Sequence, residues 1–329
     1  GWAVLVLSRA EVEALLDPDR LIDALAAAMA DLSAGRASVP NRVAAEVPGA
    51  PGTLLAMPAF LPSAGALTTK LVSLFPGNTH RPTHQAVIAC FDPADGAPVA
   101  LLDGTAITEL RTAACSALAT RLLAPEDVRV LAILGTGVQA RAHGRLVPRV
   151  RRFERVVVAG RDPGKAEALA RALGAELGIP AEAGSFEEAV RRADVVCACT
   201  HSPEPVVRRA WLRDGAHVTS VGFNTAGREV DGETVRDAVV VVESREAALA
   251  PPPAGSNDLL WPIRDGLIGP DHVHAELGEL VMGAKPGRTS PGQITLYKSV
   301  GNAVEDAAAA ALVLAEARGT GRGMEVEVA

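Results

Sequence analysis

The chain has 329 residues, above the roughly 250 to 300 at which a single hydrophobic core stops growing, so two domains are expected. Hydrophobic residues make up 48% and charged residues 22%, which excludes a disordered or fibrous chain. Acids outnumber Lys and Arg by 39 to 32, and the rings are only six Phe, three Trp and one Tyr, so the basic, ring-bearing surface of a nucleic-acid binder is missing.

In chain order, Glu11 to Leu32 places Val12, Leu15, Leu16, Leu21, Ile22, Leu25 and Met29 at helical spacing, with Pro18 starting the second of two helices. From Arg42 to Val99, short apolar stretches alternate with turns such as Pro48-Gly49, Pro76-Gly77-Asn78 and Asp95-Gly96, the pattern of a mostly antiparallel sheet. Asp103 reads as a turn and N-cap, and Thr105 to Leu123 as an Ala-rich helix closed by Pro125.

After Glu126 the pattern becomes strand, turn, helix, repeated. Val128 to Leu134, Val156 to Ala159, Val195 to Ala198, Val218 to Val221 and Val239 to Val242 are compact β-branched runs, separated by helical stretches such as Pro163 to Leu177 and Phe186 to Ala193. That alternation predicts a parallel sheet covered by helices on both faces. Arg288 to Gln293 is turn-like, and Ala303 to Arg318 is a last helix. The longest apolar run, nine residues over 307–315, is far below the roughly 20 that span a bilayer, and no membrane partner is expected. Residues Gly1-Trp2-Ala3-Val4-Leu5 carry neither a basic leader nor a cleavage site. Four cysteines, Cys90, Cys115, Cys197 and Cys199, are too few for a disulfide framework, so a cytoplasmic location is expected.

Val130 to Ala140 reads as a buried strand, the turn Gly135-Thr136-Gly137-Val138-Gln139-Ala140, and a helix, the G-x-G-x-x-A form of the dinucleotide fingerprint. Gly135 permits the tight turn, Gly137 lets the backbone approach a pyrophosphate, and Ala140 lets helix and strand pack closely. The anion rests on free amides at the helix start. The second strand ends in Gly160-Arg161-Asp162, where an NAD-selective site places an acid on the adenosine ribose. Arg161, with Lys165 one turn on, favours a 2′-phosphate and so NADP. The competing reading has both cations solvated, Asp162 on the ribose, and NAD bound.

Lys70 lies in an apolar strand-like stretch and Arg111 in a helix of small apolar residues, where a charge is costly unless it meets an anion. They are candidates for a carboxylate clamp, with ordinary ion pairs, such as Arg111 with Glu109 or Asp103, as the alternative. No metal site is expected. Cys197 and Cys199 lie on a buried strand with no second pair, His272 and His274 lack a third ligand, His143 and His217 read as core or surface residues, and Asn257-Asp258 reads as capping or as approaching the substrate.

Seven segments in order resemble the ornithine cyclodeaminase and mu-crystallin family: Val39-Pro40-Asn41-Arg42, Met57-Pro58-Ala59, Thr69-Lys70-Leu71-Val72, Thr83-His84-Gln85-Ala86, Leu110-Arg111-Thr112-Ala113-Ala114, Gly135 to Ala140, and Tyr297-Lys298-Ser299-Val300-Gly301. The mu-crystallin, ketimine reductase branch is most similar in Thr83-His84-Gln85 and Arg161. The resemblance implies an α/β protein. A substrate-binding and dimerisation domain would span 1–124, completed by about 302–329, and a Rossmann domain 125–301. It implies that Arg42, Lys70 and Arg111 surround a substrate carboxylate, with Arg111 also near the cofactor. It implies further that Thr83 and His84 touch the cofactor, that Thr200, Val221 and Ser299 line the nicotinamide, and that the protein is a homodimer.

One departure is informative. Cyclodeaminases place an aspartate where Asn224 stands, and an amide cannot serve as a general base. NAD(P)-dependent reduction of a cyclic imino acid to an amino acid asks less, with Lys70 or His84 holding the proton. Cyclodeamination of ornithine and non-enzymatic binding of NADPH with a small carboxylate are the alternatives.

Overall fold

The computed structural model describes residues 2–328. Packing divides the chain into two units, Gly1–Arg111 with Asn302–Ala329, and Thr112–Gly301.

The first unit opens with β1 (Ala3–Leu7), α1 (Arg9–Leu15) and α2 (Pro18–Ser33). Ser8 and Glu11 form a reciprocal capping box on α1, and Asp17 caps α2 with Pro18 in its first turn, so both helices begin where polar side chains satisfy free amides. β2 (Val43–Val47), β3 (Gly52–Leu61), β4 (Ala66–Leu74), β5 (His84–Phe91) and β6 (Pro98–Asp103) pair antiparallel in sequence order. α3 (Gly104–Leu123) follows, its first turn capped by the Asp103 carboxylate through the Thr105 and Ala106 amides.

The second unit contains β7 (Val130–Leu134), α4 (Val138–Leu146), β8 (Arg155–Ala159), α5 (Pro163–Leu177), β9 (Ala181–Gly184), α6 (Phe186–Arg192), β10 (Val195–Ala198), β11 (His217–Ser220), α7 (Gly232–Asp237), β12 (Val239–Val242), α8 (Arg245–Ala248), α9 (Asn257–Arg264), β13 (Val273–Glu276), α10 (Leu277–Val281) and β14 (Thr295–Lys298). The chain then returns to the first unit as α11 (Ala303–Thr320) and β15 (Met324–Glu327).

The eight strands of the second unit run in the order β13-β12-β14-β11-β10-β7-β8-β9, and every pairing is parallel. Val156, Val157 and Val158 are all fully buried, as are Val195 and Val196, because helices cover both faces of these central strands. Burying each such side chain stabilises the fold by roughly 1.5 to 3 kcal/mol. From β7 the chain steps outward to β8 and then β9, whereas β10 and β11 lie on the other side of β7. The reversal at β7/β10 is a topological switch point, where the carboxyl ends of the strands open a crevice.

The sheet of the first unit runs β15-β1-β6-β5-β4-β3-β2, with β1 parallel to β6 and antiparallel to β15. One face, carrying Met57, Ala59, Lys70, Ile88 and Leu102, is buried, and α11 packs on β3 and β4 as well as on α2. Val43, Val47, Leu54, Val87 and Leu101 share the opposite face through their register and are exposed.

The sequence reading omitted β1, β9, β13, β14 and β15, all five residues or shorter and so too brief for a periodic signal. The division between units falls inside α3 at Arg111, because the two halves of that helix have different partners. Arg111 bonds to α11, while Cys115 and Ser116 bond to Tyr297 and His143 of the second unit.

Candidate active site

At the switch point, Gly135, Thr136, Gly137, Val138, Gln139, Gly160, Arg161, Lys165, Thr200 and Val221 line a cleft of about 390 Å³ in the second unit. Gly135 has φ 113°, and a Cβ on it would run into the carbonyl of Cys199, so the turn closes against the end of β10 only with glycine. Gly137 is the N-cap of α4, carries no capping side chain, and faces open space where a Cβ would stand. The Gln139 Oε1 atom is buried with no hydrogen-bond partner among the described residues. Uncapped amides at a helix start, an open cradle and an orphaned polar atom fit the pyrophosphate of a dinucleotide.

Arg161 and Lys165 line the cleft where β8 ends. Asp162, between them, caps α5, its Oδ1 accepting from the Gly164 amide at 2.9 Å and the Lys165 amide at 3.3 Å. Asp162 thus lines the same cleft with Arg161 and Lys165 while its Oδ1 caps α5.

The first unit holds the second constellation. Lys70 and Arg111 are 4% and 5% exposed, and their partners are acids in the first turn of α11, neither Glu109 nor Asp103. Lys70 Nζ lies 3.1 Å from Asp306 Oδ2 and donates to Thr108 Oγ1 at 3.3 Å. Arg111 Nε donates to Asp306 Oδ1 at 3.0 Å, and Nη1 to Glu305 Oε1 at 3.3 Å. Glu109 instead pairs with Arg9. Arg42 feels the charges of both Arg111 and Asp306. Lys70 and Arg111 thus face Glu305 and Asp306 in the interior, and exposed Arg42 adds a third positive charge within reach of that cluster. Burial pushes the Lys70 ammonium below its ordinary value, with Asp306 opposing the shift. Burial also works to raise the Asp306 carboxyl, but the Arg111 and Lys70 charges overcome it and hold it below the usual carboxylate range.

The remaining expected residues separate. Thr83 and His84 stand at the start of β5 in the first unit, with Thr83 Oγ1 and His84 Nδ1 3.1 Å apart. Ser299 is buried in the second unit, donating its hydroxyl to Glu243 at 3.1 Å. Asn224 is a loop organiser: its Nδ2 donates to the His201 carbonyl at 2.6 Å and its Oδ1 accepts from the Ala226 amide at 2.8 Å. Asn257 Nδ2 binds the carbonyls of Asn224, Thr225 and Gly227, and Asp258 holds the Glu229 and Val230 amides, whereas the actual cap of α9 is Ser256. Cys197 is buried, its thiol pushed up to about 12 by burial. The imidazoles of His272 and His274 bond to the Val235 and Pro286 carbonyls.

Sequence reasoning passed over Glu305, Asp306, Glu229, Glu243 and Lys298. Each is a charged residue in an apolar or strand-end context, the same signal that singled out Lys70 and Arg111.

The profile of the ornithine cyclodeaminase/mu-crystallin family matches residues 3–321. The chain belongs to this family. It is 41% identical over 299 residues to ketimine reductase mu-crystallin of Mus musculus, covering 89% of this chain and 90% of the relative. It is 35% identical over 329 residues to Delta(1)-pyrroline-2-carboxylate reductase of Bacillus cereus, covering 98% and 100%. The Thermococcus litoralis Delta(1)-pyrroline-2-carboxylate reductase, solved with NADH and L-proline, superposes with a TM-score of 0.92 at 40% identity, covering 98% of this chain and all of that one. An aspartate at position 224 would lose the donor that the His201 carbonyl uses here.

Proposed function

We propose that this protein is an NAD(P)H-dependent reductase of cyclic imino acids, acting on a C=N carbon that bears a carboxylate, with Δ1-pyrroline-2-carboxylate or Δ1-piperideine-2-carboxylate as substrate and proline or pipecolate as product. The observation that carries the reading is the buried pair Lys70 and Arg111 against Glu305 and Asp306, to which exposed Arg42 adds a third positive charge, in a chain that also builds a dinucleotide cleft. A bound reduced nicotinamide supplies the hydride. The guanidinium of Arg111 and the Lys70 ammonium orient the carboxylate, and Lys70, with its lowered pKa, holds a proton for the imine nitrogen. The named relatives that reduce ketimines and pyrroline-2-carboxylate support this reading. Engagement of Asn224 as a loop amide weighs against cyclodeamination of ornithine.

NADP is the preferred cofactor in this reading, because Arg161 and Lys165 flank a capped Asp162. Titration with NADPH and NADH tests the preference, and tighter NADH binding rejects it. NADPH oxidation with the two imines tests the reaction itself. Ammonia and proline formed from ornithine without net cofactor turnover would overturn the reductase assignment.

A further inference from the structure

On the β10, β11 and β14 side, the cleft rests on buried charge. Glu229 is 3% exposed and both of its oxygens accept hydrogen bonds. Its Oε2 takes the Thr200 amide at 2.7 Å and the Thr200 hydroxyl at 2.6 Å, and its Oε1 takes the Ser220 hydroxyl at 2.7 Å and the Gly222 amide at 3.0 Å. Four donors converge on it, the pattern of an acceptor-only carboxylate. Glu243, fully buried beyond β12, accepts from the Ser299 hydroxyl and from the Val300 and Gly301 amides. Lys298 Nζ donates to Ser220 Oγ at 3.0 Å and to the Gly222 carbonyl at 2.7 Å, and lies 3.3 Å from Asp258 Oδ2.

The charges do not cancel. Lys298 pairs with Asp258, whereas Glu229 and Glu243 form no ion pair among the described residues. Amide and hydroxyl dipoles hold these two acids in place without neutralising them. Thr200 and Gly222 line the cleft, and both bond directly to Glu229. A dinucleotide whose pyrophosphate rested on α4 and whose adenosine ribose lay near Arg161 would cross the switch point and bring its nicotinamide to this side. An oxidised nicotinamide is a cation and a reduced one is neutral, so a negative field beneath the ring distinguishes them.

We propose that Glu229, reinforced by Glu243, favours the oxidised over the reduced nicotinamide and so makes the bound reduced cofactor a stronger hydride donor. The proposal rests on the reductase reading and assigns both acids a positioning and electrostatic role, exerted through Thr200, Gly222 and the 299–301 backbone. Buried charges are weakly screened, and the effect expected is about tenfold or more in the ratio of the two affinities.

The test is equilibrium binding of NADP+ and NADPH to the full-length protein and to its Glu229→Gln and Glu243→Gln variants, with 2′-phospho-ADP-ribose, which lacks the nicotinamide, as a control. The expected result is a rise of about tenfold in Kd for NADP+ relative to Kd for NADPH in Glu229→Gln, and a rise of the same sign in Glu243→Gln, with the control ligand bound as tightly as before. An unchanged ratio in a variant that still binds the control overturns the proposal and leaves the reductase reading intact, as does equal loss of both redox forms. Should Glu229→Gln fail to fold, the ratio in Glu243→Gln decides alone. Failure of the unsubstituted protein to bind either form overturns both.

Discussion

Asp306 is a single carboxylate serving two buried cations. Its Oδ1 takes Arg111 Nε at 3.0 Å and its Oδ2 lies 3.1 Å from Lys70 Nζ, all three side chains being almost fully buried. Removing one partner of a buried ion pair typically costs about 3 to 5 kcal/mol, because the other charge is left without compensation. Asp306→Asn is therefore expected to lower the unfolding midpoint and to weaken carboxylate binding together, as thermal melts with and without proline would read; unchanged melting would contradict the assigned pairing. Lys70 and Arg111 were legible in the sequence as cations in apolar surroundings. Their partners were not, because Asp306 is 236 positions from Lys70 along the chain and reaches it only once α11 packs on β4. Asn224 illustrates the opposite difficulty: its identity could be read from the chain, but not its bonds to His201 and Ala226.

At the scale of elements, the turn between β7 and α4 concentrates the backbone demands of the fold. Gly135 is left-handed, and a methyl group there meets the Cys199 carbonyl, so Gly135→Ala combines strain with a clash against β10. Loss of dinucleotide binding by tenfold or more is the expected outcome, as the tight turn at Gly135 sets the position of the uncapped start of α4. Isothermal titration of NADPH checks this, and wild-type affinity would mean that the turn does not carry the pyrophosphate. The strand, turn and helix here were readable because the fingerprint constrains spacing and residue type together. Short strands such as β9 and β13 were not, since four residues hold no period and their place is set by the sheet that recruits them.

Across the whole molecule, two fully buried histidines predict how stability depends on pH. Burial, opposed by the hydrogen bond to Gln139, holds His143 at about 4. Burial, with the charges of Arg288 and Arg151, holds His217 at about 3. Both are neutral in the fold and take up a proton on unfolding near pH 6.5, so their contribution is complete above that pH and is lost as pH falls toward 4 and 3. Each histidine then costs up to about 1.4 kcal/mol of stability per pH unit across this window, and the part of it above pH 5 lies above the range where ordinary carboxylates titrate. Unfolding midpoints should decline between pH 6.5 and 4.5, and less steeply in His217→Asn; a flat profile would contradict the burial of both rings. The exposed apolar face of the first sheet, with Val43 66% and Leu54 49% exposed, supports a homodimer joined there. Sedimentation should show a dimer that Leu54→Asp and Val87→Asp together dissociate, and a monomer from the unsubstituted chain would remove that assignment. No helix among the described residues is long and apolar enough to cross a membrane.

The most direct test of the account is NADPH oxidation with Δ1-pyrroline-2-carboxylate, followed together with proline formation, in the unsubstituted protein and in Lys70→Ala and Arg111→Ala. One NADPH is expected to be consumed per proline formed, with a fall in kcat/KM of a hundredfold or more in each variant, about 2.7 kcal/mol of lost transition-state binding. Turnover that persists unchanged without Lys70 or Arg111 would contradict it.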